Sequence, residues 1–281
     1  PDGLLRPEDF QVIKANWNNK DANIREIAQE LNLGADSFVF VDDNIVERDI
    51  VKKGTQGVAV PEIVTVESYI TTIDKAGYFE IIELSKEDIV RNQMYKVNVE
   101  RKTAQKEFFD YTEYLLSLEM IADIKTFESI YVSRIAQLTN KTNQFNLTTK
   151  RFSQSEIELI MADDLTIKIS GRLRDKFGDN GVTSLVIGTI EDTIMNIELW
   201  LMSCRVLKRN MEFAMMDALV EEALEKGIKT IKGYYIKTAK NQMVKEFYGS
   251  MGFKLIGQEG ENTIWQLELE AYQSLNKVIQ V

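Results

Sequence analysis

Ser37-Phe38-Val39-Phe40-Val41-Asp42-Asp43-Asn44 reads as a short apolar strand that stops on a pair of acids. Such an uninterrupted run fits a strand buried on both faces, as in parallel sheets. Upstream, Ile24, Ile27, Ala28 and Leu31 fall on one helical face, and Gly34 follows as a stop signal. Downstream, a helix is expected over Ile45 to Lys53 and a short strand at Val58-Ala59-Val60. Helix, strand, helix, strand is an α/β order. Asp42 and Asp43 then stand on the carboxyl rim of a strand, where α/β sheets take ligands. Hard oxygen donors suit Mg²⁺; the plainer alternative is that Asp43 or Asn44 caps the next helix. Lys20 lies just before the first helix, placed to neutralise phosphate charge or simply to be solvated.

The rest of the chain reads as mixed helix and antiparallel strand. Residues 85–122 carry charges throughout with Tyr and Phe between them, a connecting helix or helix pair, then a strand from about Leu118 to Ile124. Leu165, Ile167 and Ile169 alternate with polar residues, as do Met195, Ile197, Leu199 and Leu201, and Trp265, Leu267 and Leu269. Period-two alternation predicts half-buried strands. Glu191-Asp192 suggests a hairpin. A helix is expected over Met211 to Lys226, stopped by Gly227, then a strand near Ile228 to Ile236 and a helix near Lys240 to Met251.

Composition narrows the chemistry. The 281 residues carry 34 Lys+Arg against 44 Asp+Glu, a net charge of −10. An acidic chain argues against nucleic acid or an anionic membrane as partner. The length supports one large domain or two ordinary ones. With no histidine, Ser-His-Asp and Cys-His mechanisms within the chain and His-liganded zinc are excluded. The single cysteine, Cys204, can form no intrachain disulfide, which fits a reducing cytoplasm. No apolar run approaches the roughly 20 residues that span a bilayer, and no signal-peptide pattern follows Pro1.

Several strings carry a family resemblance. Arg-Pro-Glu-Asp-Phe (6–10), Asn-Trp-x-x-Lys (16–20) and Phe-Val-Phe-Val-Asp-Asp-Asn-x-x-Glu-Arg (38–48) resemble the second half of an FkbH-like domain of the haloacid-dehalogenase (HAD) superfamily. The likeness continues through Leu-Thr-Asn-Lys-Thr-Asn-Gln-Phe-Asn-Leu-Thr-Thr (138–149), Asp-Lys-Phe-Gly-Asp-Asn-Gly (175–181), Leu-Met-Ser-Cys-Arg-Val-Leu (201–207) and Thr-Ala-Lys-Asn (238–241). The resemblance implies a partial HAD-like Rossmannoid half (1–84), a connector (85–122) and a mixed α/β domain similar to the GNAT acyltransferases (123–281). FkbH-like proteins take the glyceryl unit of 1,3-bisphosphoglycerate, remove its phosphate, and load it on an acyl carrier protein for methoxymalonyl-type polyketide extender units. On that pattern Lys20 steadies the phosphoryl group and Asp42 and Asp43 hold Mg²⁺. The HAD nucleophile motif Asp-x-Asp is absent from the sequence. The expectation is therefore a C-terminal fragment without phosphotransferase activity, whose residues 1–61 pair across a homodimer or stay poorly ordered.

For the GNAT-like half, the resemblance places Asn241 and Tyr248 beside the thioester end of an acyl donor, with the Tyr248 hydroxyl protonating a leaving thiolate; packing of Phe247 and Tyr248 in the core is the alternative. The loop before residue 211 is glycine-rich in such enzymes. Here Lys208 and Asn210 replace the glycines, which argues against CoA as a bound cofactor. Lys208 and Arg209 would instead meet the phosphate of a carrier protein's phosphopantetheine arm. A Cys204 thiolate would hold a glyceryl thioester, against the simple alternative of a buried cysteine. Lys141, Asn143, Gln144 and Asn146 are expected to line a polar pocket. Two rivals stand beside this reading: an acetyl-CoA-dependent acyltransferase and a non-catalytic carrier-protein docking module. Clustering of Lys208, Arg209, Lys237 and Lys240 would favour docking.

Overall fold

The computed structural model describes residues 5–31, 33–80 and 91–281. The chain divides into two compact units, residues 1–102 and 103–281. Much of the stretch expected as a helical connector falls in a helix that crosses this division; residues 85–90 lie outside those described.

The first unit holds α1 (Lys20–Leu31), α2 (Ile45–Gly54), α3 (Tyr69–Lys75) and most of α4 (Arg91–Gln105). Phe38 to Phe40 runs parallel to the segment at Ala59: the Phe40 N–H donates to Ala59 O at 2.8 Å and the Ala59 N–H to Phe38 O at 3.0 Å. The expected helix–strand–helix–strand order is present, with the strands reduced to one parallel bridge. Gly34 is not the stop of α1. Its φ is −72°, and the Leu33 N–H closes the helix on Ala28 O before the chain reaches it. Asn44 caps α2, its Oδ1 accepting the Val46 N–H at 2.9 Å.

The second unit is built on α5 (Tyr111–Ser117), β1 (Ile121–Thr126), α6 (Val132–Lys141), α7 (Gln154–Ala162), β2 (Thr166–Asp175), β3 (Gly178–Glu191), β4 (Ile194–Met202), α8 (Met211–Glu225), β5 (Thr230–Tyr235), α9 (Phe247–Ser250), β6 (Lys254–Glu259) and β7 (Asn262–Glu268). The seven strands form one mixed sheet in the order β1-β2-β3-β4-β5-β7-β6. Only β4 and β5 are parallel, with α8 as their crossover. Gly227 stops α8 as expected: at φ +74° it takes the left-handed turn that lets the Ile228 N–H reach back to Ala223 O. Two expectations fail. Leu118 ends α5 and the strand begins at Ile121. The helix expected over 240–251 is only a short turn at Gln242–Val244 followed by α9.

Two cores cover the sheet's faces. Ile167, Ile169 and Met195 pack with Met211, Met215 and Leu219 of α8. Leu185, Ile187 and Leu199 pack with Ile135 and Leu138 of α6. The central strands are therefore buried on both faces, where alternation predicted one. Each fully buried aliphatic side chain contributes about 1.5–3 kcal/mol.

A bulge in β4 explains part of that difference. Ile187 faces Leu199 and Gly188 faces Ile197, so Glu198 is an extra residue. Met195 and Ile197 enter the α8 core, Leu199 and Leu201 the opposite one, and Trp200 turns into the α8 core with no exposure. After β7 the chain returns to the β1 edge, where the Ala122 N–H donates to Gln280 O at 2.8 Å and the Gln280 N–H to Met120 O at 3.0 Å. Asp217 of α8 holds this tail, accepting from Tyr272 Oη and Ser274 Oγ at 2.5 Å each and from the Leu275 and Asn276 N–H groups at 2.9 and 3.0 Å.

Candidate functional site

The parallel pair at the sheet's centre is short. β4 and β5 pair only over Ile194–Asn196 and Thr230–Lys232 and then part. The fork that opens is filled by residues 145–148. Leu147 donates to Trp200 O at 3.0 Å, Met202 donates to Phe145 O at 3.0 Å, and Ile236 donates to Leu147 O at 2.8 Å. Thr148 Oγ1 adds a bond of 2.7 Å to Glu198 O, the bulge carbonyl. A short strand-like piece is thus wedged between the diverging strands.

Asn241 locks this wedge. It has no exposed surface. Its Nδ2 donates to Asn146 O and Ile236 O, both at 2.9 Å, and its Oδ1 accepts the Thr238 N–H at 2.8 Å. Assigned by resemblance to a thioester, Asn241 here has its side-chain bonds inside the chain. Asn146 is likewise interior, donating to Thr142 O and accepting from the Thr149 N–H. Of the polar loop expected around it, Lys141 is exposed and Asn143 meets the Arg151 guanidinium.

Tyr248 is also given to the core. Its ring packs edge-on to Phe247 and lies over Gly233, where a Cβ would come within 2.3 Å of Tyr248 Cε1. Burial pushes the hydroxyl far above the ordinary tyrosine range. A proton-donating role has no access to solvent in this arrangement, because the side chain is sealed at 0% exposure.

The loop between β4 and α8 keeps one feature that its sequence argued against. Lys208 and Asn210 stand where glycines were expected, yet both adopt left-handed backbone, at φ 65° and 62°. Lys208 is exposed. Arg209 is not available to a phosphate: it is buried, 3.1 Å from Asp175 Oδ2, and donates to Arg205 O at 2.9 Å. The cationic cluster expected for docking is further divided, since Lys237 pairs with Glu261.

At the start of this loop, Cys204 is the first residue of a short turn capped by Ser203 and is half-buried. It stands past the carboxyl end of β4, on the rim where open α/β sheets present reactive groups. Ser203 Oγ accepts from Arg205 Nε at 3.2 Å.

In the first unit Lys20 opens α1 and is exposed. Asp42 and Asp43 follow the strand segment as expected; Asp42 Oδ1 accepts the Asn44 N–H at 2.8 Å, and Arg48 Nη1 binds the two backbone carbonyls at 2.7 and 3.3 Å. Among the described residues no group of three or more acidic, Cys or His side chains could hold a metal ion. Mg²⁺ commonly takes one or two carboxylates together with phosphate oxygens and water, so this pair would hold it only alongside a phosphate ligand.

Sequence reasoning singled out Asn146 as a pocket-lining residue but missed the wedge that residues 145–148 form, the bulge at Glu198 and the close approach at Gly233. Gly233 carried a usable signal, since a lone glycine within a strand marks close approach of another group. The bulge at Glu198 had none.

No helix among the described residues is long and apolar enough to cross a membrane. No family model and no curated protein matches the chain. Solved structures of N-acetyltransferases are similar to it in chain trace. The ribosomal-protein-S18-alanine N-acetyltransferase from Escherichia coli is 12% identical with a TM-score of 0.41, over 56% of this chain and 100% of that one. A spermidine N-acetyltransferase SpeG mutant from Vibrio cholerae is 11% identical at 0.42, over 53% and 94%. The PaiA N-acetyltransferase from Thermoplasma acidophilum, in complex with coenzyme A, is 14% identical at 0.38, over 52% and 98%.

Proposed function

We propose that the second unit carries out acyl-group transfer, with Cys204 holding the acyl group as a thioester. The observation that carries this reading is the position of the chain's single cysteine, half-buried on the carboxyl rim of β4 at the mouth of the fork. Its thiolate attacks the carbonyl carbon of an activated acyl donor. A sulfur–carbon bond forms, the bond to the donor's leaving group breaks, and the thiol proton passes to water or to that group. An acceptor thiol then attacks the thioester; Cys204 sulfur leaves and recovers the acceptor's proton.

Within this class, the finer reading is the one that the family resemblance implies. The donor is 1,3-bisphosphoglycerate, whose acyl phosphate releases phosphate, and the acceptor is the phosphopantetheine thiol of an acyl carrier protein. Lys20, Asp42 and Asp43 then belong to the phosphate-handling part of the protein. The parallel bridge between Val39 and Ala59 supports this, because it sets both aspartates on the carboxyl side of a strand.

Intact-mass spectrometry tests both levels. Incubation with 1,3-bisphosphoglycerate should add a phosphoglyceryl or glyceryl mass that hydroxylamine removes and Cys204→Ser abolishes as a thioester. A chain that stays unmodified with this donor sinks the finer reading. An adduct that survives Cys204→Ala sinks the role of the thiol.

A further inference from the structure

Residues 145–148 occupy the place in the sheet that a strand-like ligand would need. Beyond the bulge, the outward groups of β4 are Trp200 O and the Met202 N–H, and both are bonded to this segment. Just past β5 the Ile236 N–H is bonded to it as well. An amide-bearing pantetheine arm lying along β4 would have to displace three backbone bonds and the bond from Thr148 to Glu198 O. It would also strip Asn241 Nδ2 of one of its two acceptors, in a position without solvent.

The amino end of α8 is occupied too. A helix of fifteen residues offers unpaired N–H groups there to an anion. Glu212, its second residue, has a carboxylate oxygen buried without a partner. A pyrophosphate brought to this helix end would meet a carboxylate already in place, and the nearby Arg209 is held by Asp175.

We infer that the second unit excludes CoA: residues 145–148 close the fork against the pantetheine arm, and Glu212 fills the anion position at α8, so its acyl donor is one without a nucleotide. The inference takes its choice of ligand from the acyl-transfer reading, but the closure of the fork is independent of it.

Hydrogen exchange on the full chain tests the closure. The amides of Leu147, Met202 and Ile236 should exchange at least about a hundredfold more slowly than an unstructured chain, and saturating CoA should change neither these rates nor the melting temperature. Rapid exchange at these three amides overturns the inference, as does any CoA-dependent change in them. Inorganic pyrophosphate is the second probe. It should leave the wild-type melting temperature unchanged and raise that of Glu212→Gln; a rise in the wild type, or none in the variant, overturns the role of Glu212. If the three amides are protected while Cys204 acquires no acyl group, the acyl-transfer reading alone fails.

Discussion

Arg209 Nη1 lies 3.1 Å from Asp175 Oδ2, with both side chains almost wholly buried. The pair ties the loop after β4 to the β2–β3 hairpin, whose turn Asp175 also organises by accepting the Phe177 and Gly178 N–H groups. The residue that sequence reasoning offered to a phosphate is thus a strut of the fold. Removing one partner of a buried pair strands the other charge, at a cost of about 3–5 kcal/mol. Arg209→Leu should lose stability of that order in urea unfolding, whereas the exposed Lys208→Arg should change it by less than about 0.5 kcal/mol. Equal effects would remove the distinction.

Gly233 and Tyr248 set a second expectation. A Cβ at residue 233 would meet the tyrosine ring at 2.3 Å. Gly233→Ala should therefore destabilise the second unit by about 1–3 kcal/mol through overpacking. Tyr248→Phe removes a hydroxyl that has no bonded partner. It should be neutral or stabilising by thermal denaturation; a large loss would show that the hydroxyl is engaged.

The Asp217 latch is pH-dependent. Burial, the largest influence, raises its pKa, but the bonds from Ser274, Tyr272, Leu275 and Asn276 together outweigh it and hold the carboxyl below its ordinary value. The stabilisation is complete above the unfolded pKa of about 3.9 and is lost as pH falls through the lower folded value. Asp217→Ala should free the tail at neutral pH, read as faster exchange of the Ala122 amide that donates to Gln280 O. Unchanged protection would mean that the β1 edge holds the tail by itself.

Glu212 runs the other way. Burial, the largest influence, raises its carboxyl pKa and outweighs its own backbone N–H. The folded state then binds its proton more tightly than the unfolded chain, so stability falls as pH rises from about 4.3 through the folded value. Glu212→Gln should be more stable than the wild type at pH 7, with the difference vanishing at low pH. A difference that does not change with pH would assign the effect to packing.

Much of this fold is legible from local pattern. The existence of α1 and the extents of α2 and α8 follow from apolar spacing, and the turn after β3 from Glu191-Asp192, where Asp192 takes a φ of 55°. The candidate site is less legible because it depends on contacts between distant segments. Asn241 reads as a polar loop residue until Asn146, far away in sequence, supplies its acceptor. Arg209 reads as a free cation until the β2–β3 hairpin brings Asp175 to it. Cys204 could be placed at the end of a strand, but its half-burial could not be read from its neighbours.

The extra residue in β4 lets a single strand serve two masters. Odd-numbered side chains before Glu198 and odd-numbered side chains after it feed opposite interiors. Deleting Glu198 would place Leu199 directly after Ile197 and restore simple alternation, with Leu199 and Leu201 still facing α6 and Trp200 still facing α8, so neither interior would be rearranged. A one-codon loss there should therefore cost less than Trp200→Ala, which opens a cavity at a cost of about 3–5 kcal/mol.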